Sequence, residues 1–191
     1  VVKAVAGDGA EMAPQAAFLF RGNNNTVGYY NATPQVITEG GQSYFVMAEA
    51  NATGAKFVDN GIERKLVAET KGYQFYSFEE AVRFAGNEGT IKVVNDFELA
   101  EAWTVAAGQN ITLDLNGKTI SQEKACTASY EMICNKGNLT ITDSSDAKDG
   151  KLSFKDTSAG DPNFGWGSYT VRNEGNLVVE NGTIEHLGEQ A

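Results

Sequence analysis

Apolar and polar residues alternate in three segments in the second half of the chain, and these segments resemble one another. The first is NITLDLNGKTI (residues 110–120), and the later ones are NLTITDSSDAKDGKLSF (138–154) and NLVVENGTIEH (176–186). Strict alternation predicts a strand with one buried face. In the first segment the apolar run ends at Asn116-Gly117, a pair typical of tight turns. We therefore expect short strands and turns in this region.

The three segments behave as copies of one repeat. NKGNL (135–139) is matched by NEGNL (173–177), and the alternating runs begin at Asn110, Asn138 and Asn176, spacings of 28 and 38 residues. Self-similarity at a few tens of residues, with strands and Gly/Asn turns, is typical of a solenoid. We therefore predict a parallel β-helix whose first complete rung is residues 110–120, the alternative being an antiparallel sandwich with a chance repeat. Stacking predicts two apolar columns, one of Ile111, Leu139 and Leu177 and one of Leu113, Ile141 and Val179.

One short helix is predicted before the repeats, in YSFEEAVRFAGNEG (76–89). Ser77 and Glu80 have the spacing of a capping box, and Gly86 is a natural C-terminal stop. We expect a helix over 77–85 that caps the first coil of the solenoid and covers its strand edge. Its apolar face follows the i, i+3, i+4, i+7 pattern in Phe78, Ala81, Val82 and Ala85.

Residues 1–70 differ in pattern from the rest of the chain. QSYFVMAEA (42–50) has strand propensity, and Asn60-Gly61 separates two apolar runs in the manner of a type I′ hairpin. We predict a small β module over 1–70 that serves attachment or assembly. The β-helix would occupy 71–191 and be incomplete at its C-terminus, because no capping element follows the last rung.

Composition narrows the classes of partner. The formal net charge of −10 argues against nucleic acid, whose phosphates an acidic surface repels. No apolar run approaches the roughly 20 residues that span a bilayer, so no membrane insertion is expected. Cys126 and Cys134 are too few for a disulfide scaffold, and whether they are bridged stays open. A single His rules out a Cys/His metal set, and neither metal nor cofactor is predicted.

Residues 73–186 resemble pectate-lyase-like right-handed parallel β-helix proteins, of the bacterial surface, secreted or phage-fibre type. The matching features are the aromatic–Ser–x–Glu–Glu–Ala helix, the GTI strand, the LDLNGKTI coil and the N-x-G-N-L rungs. The resemblance implies an all-β fold, a right-handed parallel β-helix (solenoid) with a short N-terminal capping helix, preceded by the small β module. It implies no single activity, because such β-helices serve polysaccharide lyases, glycosidases, adhesins and phage fibres.

Candidate catalytic residues are few, and none is assigned. The resemblance implies a basic residue as the base of a lyase, and Arg172 is the only Arg in the coils. Beside Glu174, a surface ion pair is the favoured interpretation. Glycosidases need paired carboxylates, but Asp114 and Glu180 are expected at outward ladder positions with Thr142 between them.

Two other polar features are interpreted as structural. Asp143, Asp146 and Asp149 resemble a cation loop, but their spacing of three is wrong for the alternating ligands of calcium. A solvated turn is therefore favoured. His186 stands alone near the end of the last rung, and we interpret it as a surface or stacking residue.

The extra length between repeats falls into two insertions, SQEKACTASYEM (121–132) and KDTSAGDPNFGWGSY (155–169). On solenoids such insertions gather on one face, often the binding face. Aromatic rings flanked by polar groups suit sugars, although these rings could instead pack over the solenoid wall. The candidate glycan-binding residues are Phe164, Trp166, Tyr169, Asp161 and Asn163.

The leading hypothesis is a non-catalytic extracellular or cell-surface module, a rigid β-helical stalk or adhesin. Its expected partners are glycans or a cell-surface receptor, and a homotrimer or larger assembly is expected at its open end. One alternative is a phage virion fibre or tailspike protein with residues 1–70 as the attachment domain. Another is a polysaccharide lyase or glycoside hydrolase whose catalytic coils lie beyond residue 191.

Overall fold

The computed structural model describes the backbone of five strands between residues 25 and 64 and the whole of residues 65–158 and 167–188. The chain divides into two compact units, Val1–Phe84 and Ala85–Ala191. The domain boundary after residue 70 stays a prediction.

Short strands dominate both units. The first unit contains β1 (Asn25–Val27), β2 (Pro34–Glu39), β3 (Gln42–Ala48), β4 (Phe57–Asp59), β5 (Ile62–Arg64), β6 (Ala68–Thr70) and β7 (Tyr73–Phe75), followed by α1 (Phe78–Ala85). The second contains β8 (Glu88–Val93), β9 (Phe97–Glu98), β10 (Trp103–Val105), β11 (Asn110–Asp114), β12 (Thr119–Lys124), β13 (Tyr130–Asn135), β14 (Asn138–Thr142), β15 (Lys151–Asp156), β16 (Ser168–Asn173), β17 (Asn176–Val179) and β18 (Thr183–Gly188).

The first unit is built from antiparallel strands. β3 pairs with β2 on one side and with β7 on the other, and β7 also pairs with β6. In a separate sheet, β4 pairs with β1 and β5. Asp59 lies opposite Ile62, which confirms the hairpin predicted from Asn60-Gly61, two residues outside the described part of the chain. The strand predicted in 42–50 is also confirmed as β3.

The helix forms where the sequence predicts it. The Ser77 hydroxyl oxygen accepts a hydrogen bond from the backbone N–H of Glu80 at 3.3 Å, which is the N-terminal cap. Gly86 follows with a φ of +76°, a left-handed conformation that ends a helix at little cost in a glycine. The Phe84 ring is also buried, 5.3 Å from that of Phe75 between centroids. That α1 caps the coils stays a prediction.

The second unit consists of three parallel sheets. Their strand orders are β8-β11-β14-β17, β9-β12-β15-β18 and β10-β13-β16. Every pairing between neighbours in these orders is parallel, so each strand lies beside its equivalent in the next repeat. The fold is therefore all-β with parallel sheets, and the antiparallel sandwich is excluded for this unit.

The predicted apolar columns are confirmed in register. Ile111, Leu139 and Leu177 lie opposite one another across β11, β14 and β17, and so do Leu113, Ile141 and Val179. Most of the large apolar side chains between β8 and β15 are buried. Burying one such side chain contributes about 1.5–3 kcal/mol. The fully buried ones include Ile91, Ile111, Leu113, Leu115, Ile120, Met132, Ile133, Leu139, Ile141 and Phe154.

One prediction about the stack was wrong, because the ladder begins earlier than residues 110–120. β8 pairs in register with β11, so that Ile91 lies opposite Leu113 and Gly89 opposite Ile111. Gly89 stands where the later rungs carry Ile or Leu, and this substitution removes the alternation by which a rung is detected. β11, the strand that begins residues 110–120, is therefore preceded in this column by β8.

Asparagine side chains hold the corners between β13 and β14 and between β16 and β17. The buried Asn135 accepts a hydrogen bond from the Gly137 N–H (3.2 Å). Its amide donates to Asn173 Oδ1 (2.7 Å) and to the Asn176 carbonyl (2.8 Å). Because a buried amide without partners costs about 1–3 kcal/mol, these bonds explain why the N-x-G-N motif occurs at both of these corners.

Glycine is required at these corners by close packing of the backbones. A Cβ built on Gly137 would lie 2.7 Å from the Gln109 carbonyl oxygen and still closer to that of Ala106. We predict that Gly137→Ala lowers the free energy of unfolding by about 1–3 kcal/mol, the usual cost of overpacking. Chemical denaturation followed by circular dichroism measures this difference.

Gly188→Ala is the matched control for that substitution. Its Cβ would meet no atom closer than 3.6 Å, so its stability should stay within about 0.5 kcal/mol of the wild type. Equal stability of the two variants would contradict the close stacking of the corners.

Candidate functional site

The insertion that is predicted to bind glycans connects β15 to β16. Four of its five candidate residues, Asp161, Asn163, Phe164 and Trp166, lie outside the described residues. The fifth, Tyr169, lies in β16 with its side chain 45% exposed. The structure therefore places one candidate at the surface and does not test that the five come together.

A cleft of about 530 Å³ opens where this insertion begins. Residues 155–158, at the end of β15 and just after it, line one part, and residues 186–188 of β18 line the other. Lys155 lies opposite Leu187 and Asp156 opposite Gly188 in the parallel ladder. Tyr169 is not among the lining residues. The sequence analysis did not predict this cleft. The available signal was that two paired strands end beside an insertion.

Asp156 anchors the start of the insertion. Its Oδ1 accepts hydrogen bonds from the Ser158 N–H (2.9 Å), the Ser158 hydroxyl (2.7 Å) and the Cys126 N–H (3.3 Å). Burial alone would raise the pKa of this carboxyl, but the hydrogen bonds from Ser158, Ser168 and Cys126 outweigh it and hold the pKa well below its usual range. The carboxylate is therefore ionised at any ordinary pH.

His186 is a stacking residue, as the sequence predicts, and it also has a polar partner. Its ring lies 5.4 Å from that of Phe154 between centroids, and its Nε2 is 3.3 Å from the Ser168 hydroxyl oxygen. Ser168 also bonds to Asp156, so the serine stands between the acid and the histidine. In a nucleophilic triad the histidine stands between the other two. This order fits a structural hydrogen-bond network better than a serine activated as a nucleophile.

Lys155 adds a positive charge that a neighbour balances. Its ammonium lies 3.1 Å from Glu123 Oε1, and both side chains are about half exposed, at 49% and 58%. Such an exposed pair adds little stability, but it offsets the charge of Lys155 at the edge of the cleft.

Arg172, the candidate base, is held in a surface ion pair. Its Nη2 lies 2.8 Å from Glu174 Oε1, with the two side chains 48% and 39% exposed. The surface interpretation is confirmed, and the geometry supports no catalytic role for Arg172.

Asp114 has the ladder position that the sequence predicts, opposite Thr142 and next to the inward Leu113. The sequence did not predict that this position is covered: the side chain is buried, and its Oδ1 accepts hydrogen bonds from the Asn116 N–H (3.0 Å) and the Ser144 N–H (2.8 Å). The cover comes from the chain after β14, which returns to Asp114 in a contact 30 residues apart in sequence. Glu180 is exposed, as expected.

Asp143 corrects one expectation, because it is not part of a solvated turn. It is 1% exposed, and it accepts hydrogen bonds from Gly117 N (2.9 Å), Ser145 N (2.9 Å) and Gly150 N (2.6 Å). Burial raises its pKa, but these hydrogen bonds outweigh burial and lower the pKa below its ordinary value. Asp146 and Asp149 are exposed.

No cluster of three or more His, Cys, Asp or Glu side chains suited to a metal ion occurs in residues 65–158 and 167–188. Cys126 and Cys134 are both buried free thiols, which answers the question left open by the sequence. Burial raises the pKa of Cys126 to about 11, so the reactive thiolate is scarce at neutral pH. In the described part of the chain, no helix combines the length and the apolar character that crossing a membrane requires.

Asp143 makes the stability of the fold depend on pH. Because its pKa is lowered in the folded state, its stabilising effect is present above the unfolded pKa of about 4 and is lost as pH falls through the folded pKa. We predict that Asp143→Asn, whose amide would face the Gly150 N–H, lowers the free energy of unfolding by about 1–3 kcal/mol at pH 7. Urea denaturation between pH 7 and pH 2 should show a smaller loss on acidification in the variant.

Asp146→Asn is the control, because Asp146 is exposed in the same loop. Its stability and its pH dependence should match those of the wild type. An Asp143→Asn variant with the wild-type acid dependence would show that Asp143 is not the titrating group.

Comparisons with protein-family models, with curated proteins and with solved structures found no match to this chain.

Proposed function

We propose that this chain is a non-catalytic extracellular or cell-surface module, in which a right-handed parallel β-helix is a rigid support for a glycan-contacting surface. The observation that carries the proposal is the division of strands among the three parallel sheets. Going along the chain, β8, β9 and β10 enter three different sheets, and β11, β12 and β13 then enter the same three in the same order. This recurrence is what successive coils of a solenoid produce.

Rigidity follows from the pairing of each coil with the next. Parallel strands repeat at about 4.8 Å and bond their backbones to both neighbours. Between sheets, corner contacts such as Asn176 Nδ2 to Asn138 Oδ1 (2.7 Å) join successive coils. A support of this kind keeps a surface loop in a constant position, which is an advantage for recognition.

Recognition is assigned to the side of the coil where the insertion leaves β15. The cleft there combines hydroxyl, carboxylate and ammonium groups with an exposed Leu187. The insertion that follows contains Phe164 and Trp166, and β16 exposes Tyr169. Polar groups beside aromatic faces suit sugar rings. The ion pair of Arg172 and the position of Ser168 favour binding over catalysis.

Substitution of the insertion's aromatic residues tests glycan contact. We expect the wild type to bind members of a broad glycan array, and Trp166→Ala and Tyr169→Ala each to weaken binding about tenfold, which corresponds to about 1.4 kcal/mol of lost stacking. Titration calorimetry with an oligosaccharide identified on the array measures the affinities.

Val178→Ala is the control, because Val178 is 51% exposed in β17 and lies outside the insertion. Its affinity should equal that of the wild type. An array on which the wild type retains no glycan would overturn the proposal.

A further inference from the structure

We infer that the cleft between the ends of β15 and β18 is a subsite for neutral, hydroxyl-rich sugar units and that it rejects acidic ones. The inference rests on the proposed glycan-contacting function, and it adds the chemical class of the glycan and the residues that select it. The residues that line the cleft all lie in the described part of the chain, and none of them is an aromatic residue of the insertion.

The lining of the cleft matches a group that donates and accepts hydrogen bonds at once. The Asp156 carboxylate is an acceptor, the Lys155 ammonium is a donor, and the exposed Thr157 hydroxyl is both. The three hydrogen bonds from Ser158 and Cys126 all end on Asp156 Oδ1. The Ser168 hydroxyl also bonds to this carboxylate. Because a carboxylate oxygen has two lone pairs, Oδ2 still has room for at least one further donor, and a sugar hydroxyl is suitable.

The apolar part of the lining suits the C–H face of a sugar ring. Leu187 is 46% exposed in the ladder position opposite Lys155. The Phe154–His186 stack holds the imidazole that lines the cleft next to Leu187. Contact between a ring face and these side chains removes apolar surface from water, which a small hydrated ion would not do.

Charge then separates neutral from acidic sugars. The donors that hold Asp156 are neutral: two backbone N–H groups and the hydroxyls of Ser158 and Ser168. The nearby Lys155 is paired with Glu123. The three side chains together carry one net negative charge, so a uronate or sulfate would enter against repulsion. Hydrogen bonding keeps the pKa of Asp156 low, so the charge persists in mild acid.

An ammonium ligand fits less well than a hydroxyl. It only donates hydrogen bonds, so the Lys155 ammonium and the Thr157 hydroxyl proton would find no acceptor in it. A sugar hydroxyl can bond to both the donors and the acceptors of the lining, which is why we assign the subsite to neutral sugars.

Affinity electrophoresis with defined polysaccharides tests the subsite. The neutral probes are galactomannan, xyloglucan, mannan and dextran, and the acidic ones are polygalacturonate, alginate and hyaluronan. We expect at least one neutral probe to retard the wild type and no acidic probe to do so. Thr157→Ala and Asp156→Asn should each weaken neutral retardation at least threefold, and Asp156→Asn should also reduce the discrimination against acidic probes.

Asn at position 156 keeps the Oδ1 acceptor of the loop but loses the charge that strengthens its hydrogen bonds, so some loss of stability is expected. A thermal melt gives the size of this loss, and retardation is compared at a temperature at which both proteins are folded. Thr157→Ala is the second variant, because it deletes one exposed hydroxyl. Asp146→Asn is the matched control for charge, since it removes an exposed carboxylate that does not line the cleft. It should leave retardation unchanged.

The outcomes separate this inference from the proposed function. Neutral retardation that Trp166→Ala abolishes but that both cleft variants leave intact would overturn the subsite and keep the glycan-contacting loop. Retardation by acidic probes alone would overturn the neutral class and keep glycan binding. Retardation by no probe would overturn the subsite, and the broad glycan array then decides separately whether the proposed function survives.

Discussion

The structure of the second unit depends on one constraint, the in-register parallel pairing of each strand with its equivalent one repeat later. Parallel strands cannot be joined by a tight hairpin, so the chain must turn through other sheets before it returns. Every return brings the same positions into one column, and Ile111, Leu139 and Leu177 are such a column. Packing, corners and the position of the cleft all follow from this register.

The same constraint explains why so many polar side chains are structural. A corner between two sheets leaves backbone N–H groups without a ladder partner, and buried ones must find an acceptor. Asp96, Asp114 and Asp143 accept three such N–H groups at the turn between β11 and β12: Thr119 N at 2.8 Å, Asn116 N at 3.0 Å and Gly117 N at 2.9 Å. Part of the acidic composition is therefore committed to turns, and carboxylates in the coils are poor indicators of catalysis here.

Sequence reasoning recovered what is written in local patterns and in the repeat, and missed side-chain contacts that neither of them encodes. The cap at Ser77 and the strands of the hairpin were predicted from neighbouring residues, and the columns of β11, β14 and β17 from the similarity of the repeats. The GTI strand was predicted, but its place in the ladder beside β11 was missed, because Gly89 stands where the later rungs have Ile or Leu. The burial of Asp114 and the contact between Ser168 and His186 join residues 30 and 18 positions apart. Only the register of the strands brings such pairs together, and no single segment encodes it.

Register also explains why we propose recognition at the end of β15. An insertion leaves a parallel ladder where two strands stop pairing. The last pairs of β15 with β18 are Lys155 with Leu187 and Asp156 with Gly188, and they lie where the insertion begins. Asp156 closes the turn with Ser158 on Oδ1 and contributes its charge to the cleft. The Asp156 carboxylate thus holds the first residues of the insertion in place and adds a negative charge to the cleft. If the proposed subsite exists, a change at Asp156 would therefore act on the loop and on selectivity together, whereas a change at Thr157 would act on the cleft surface alone.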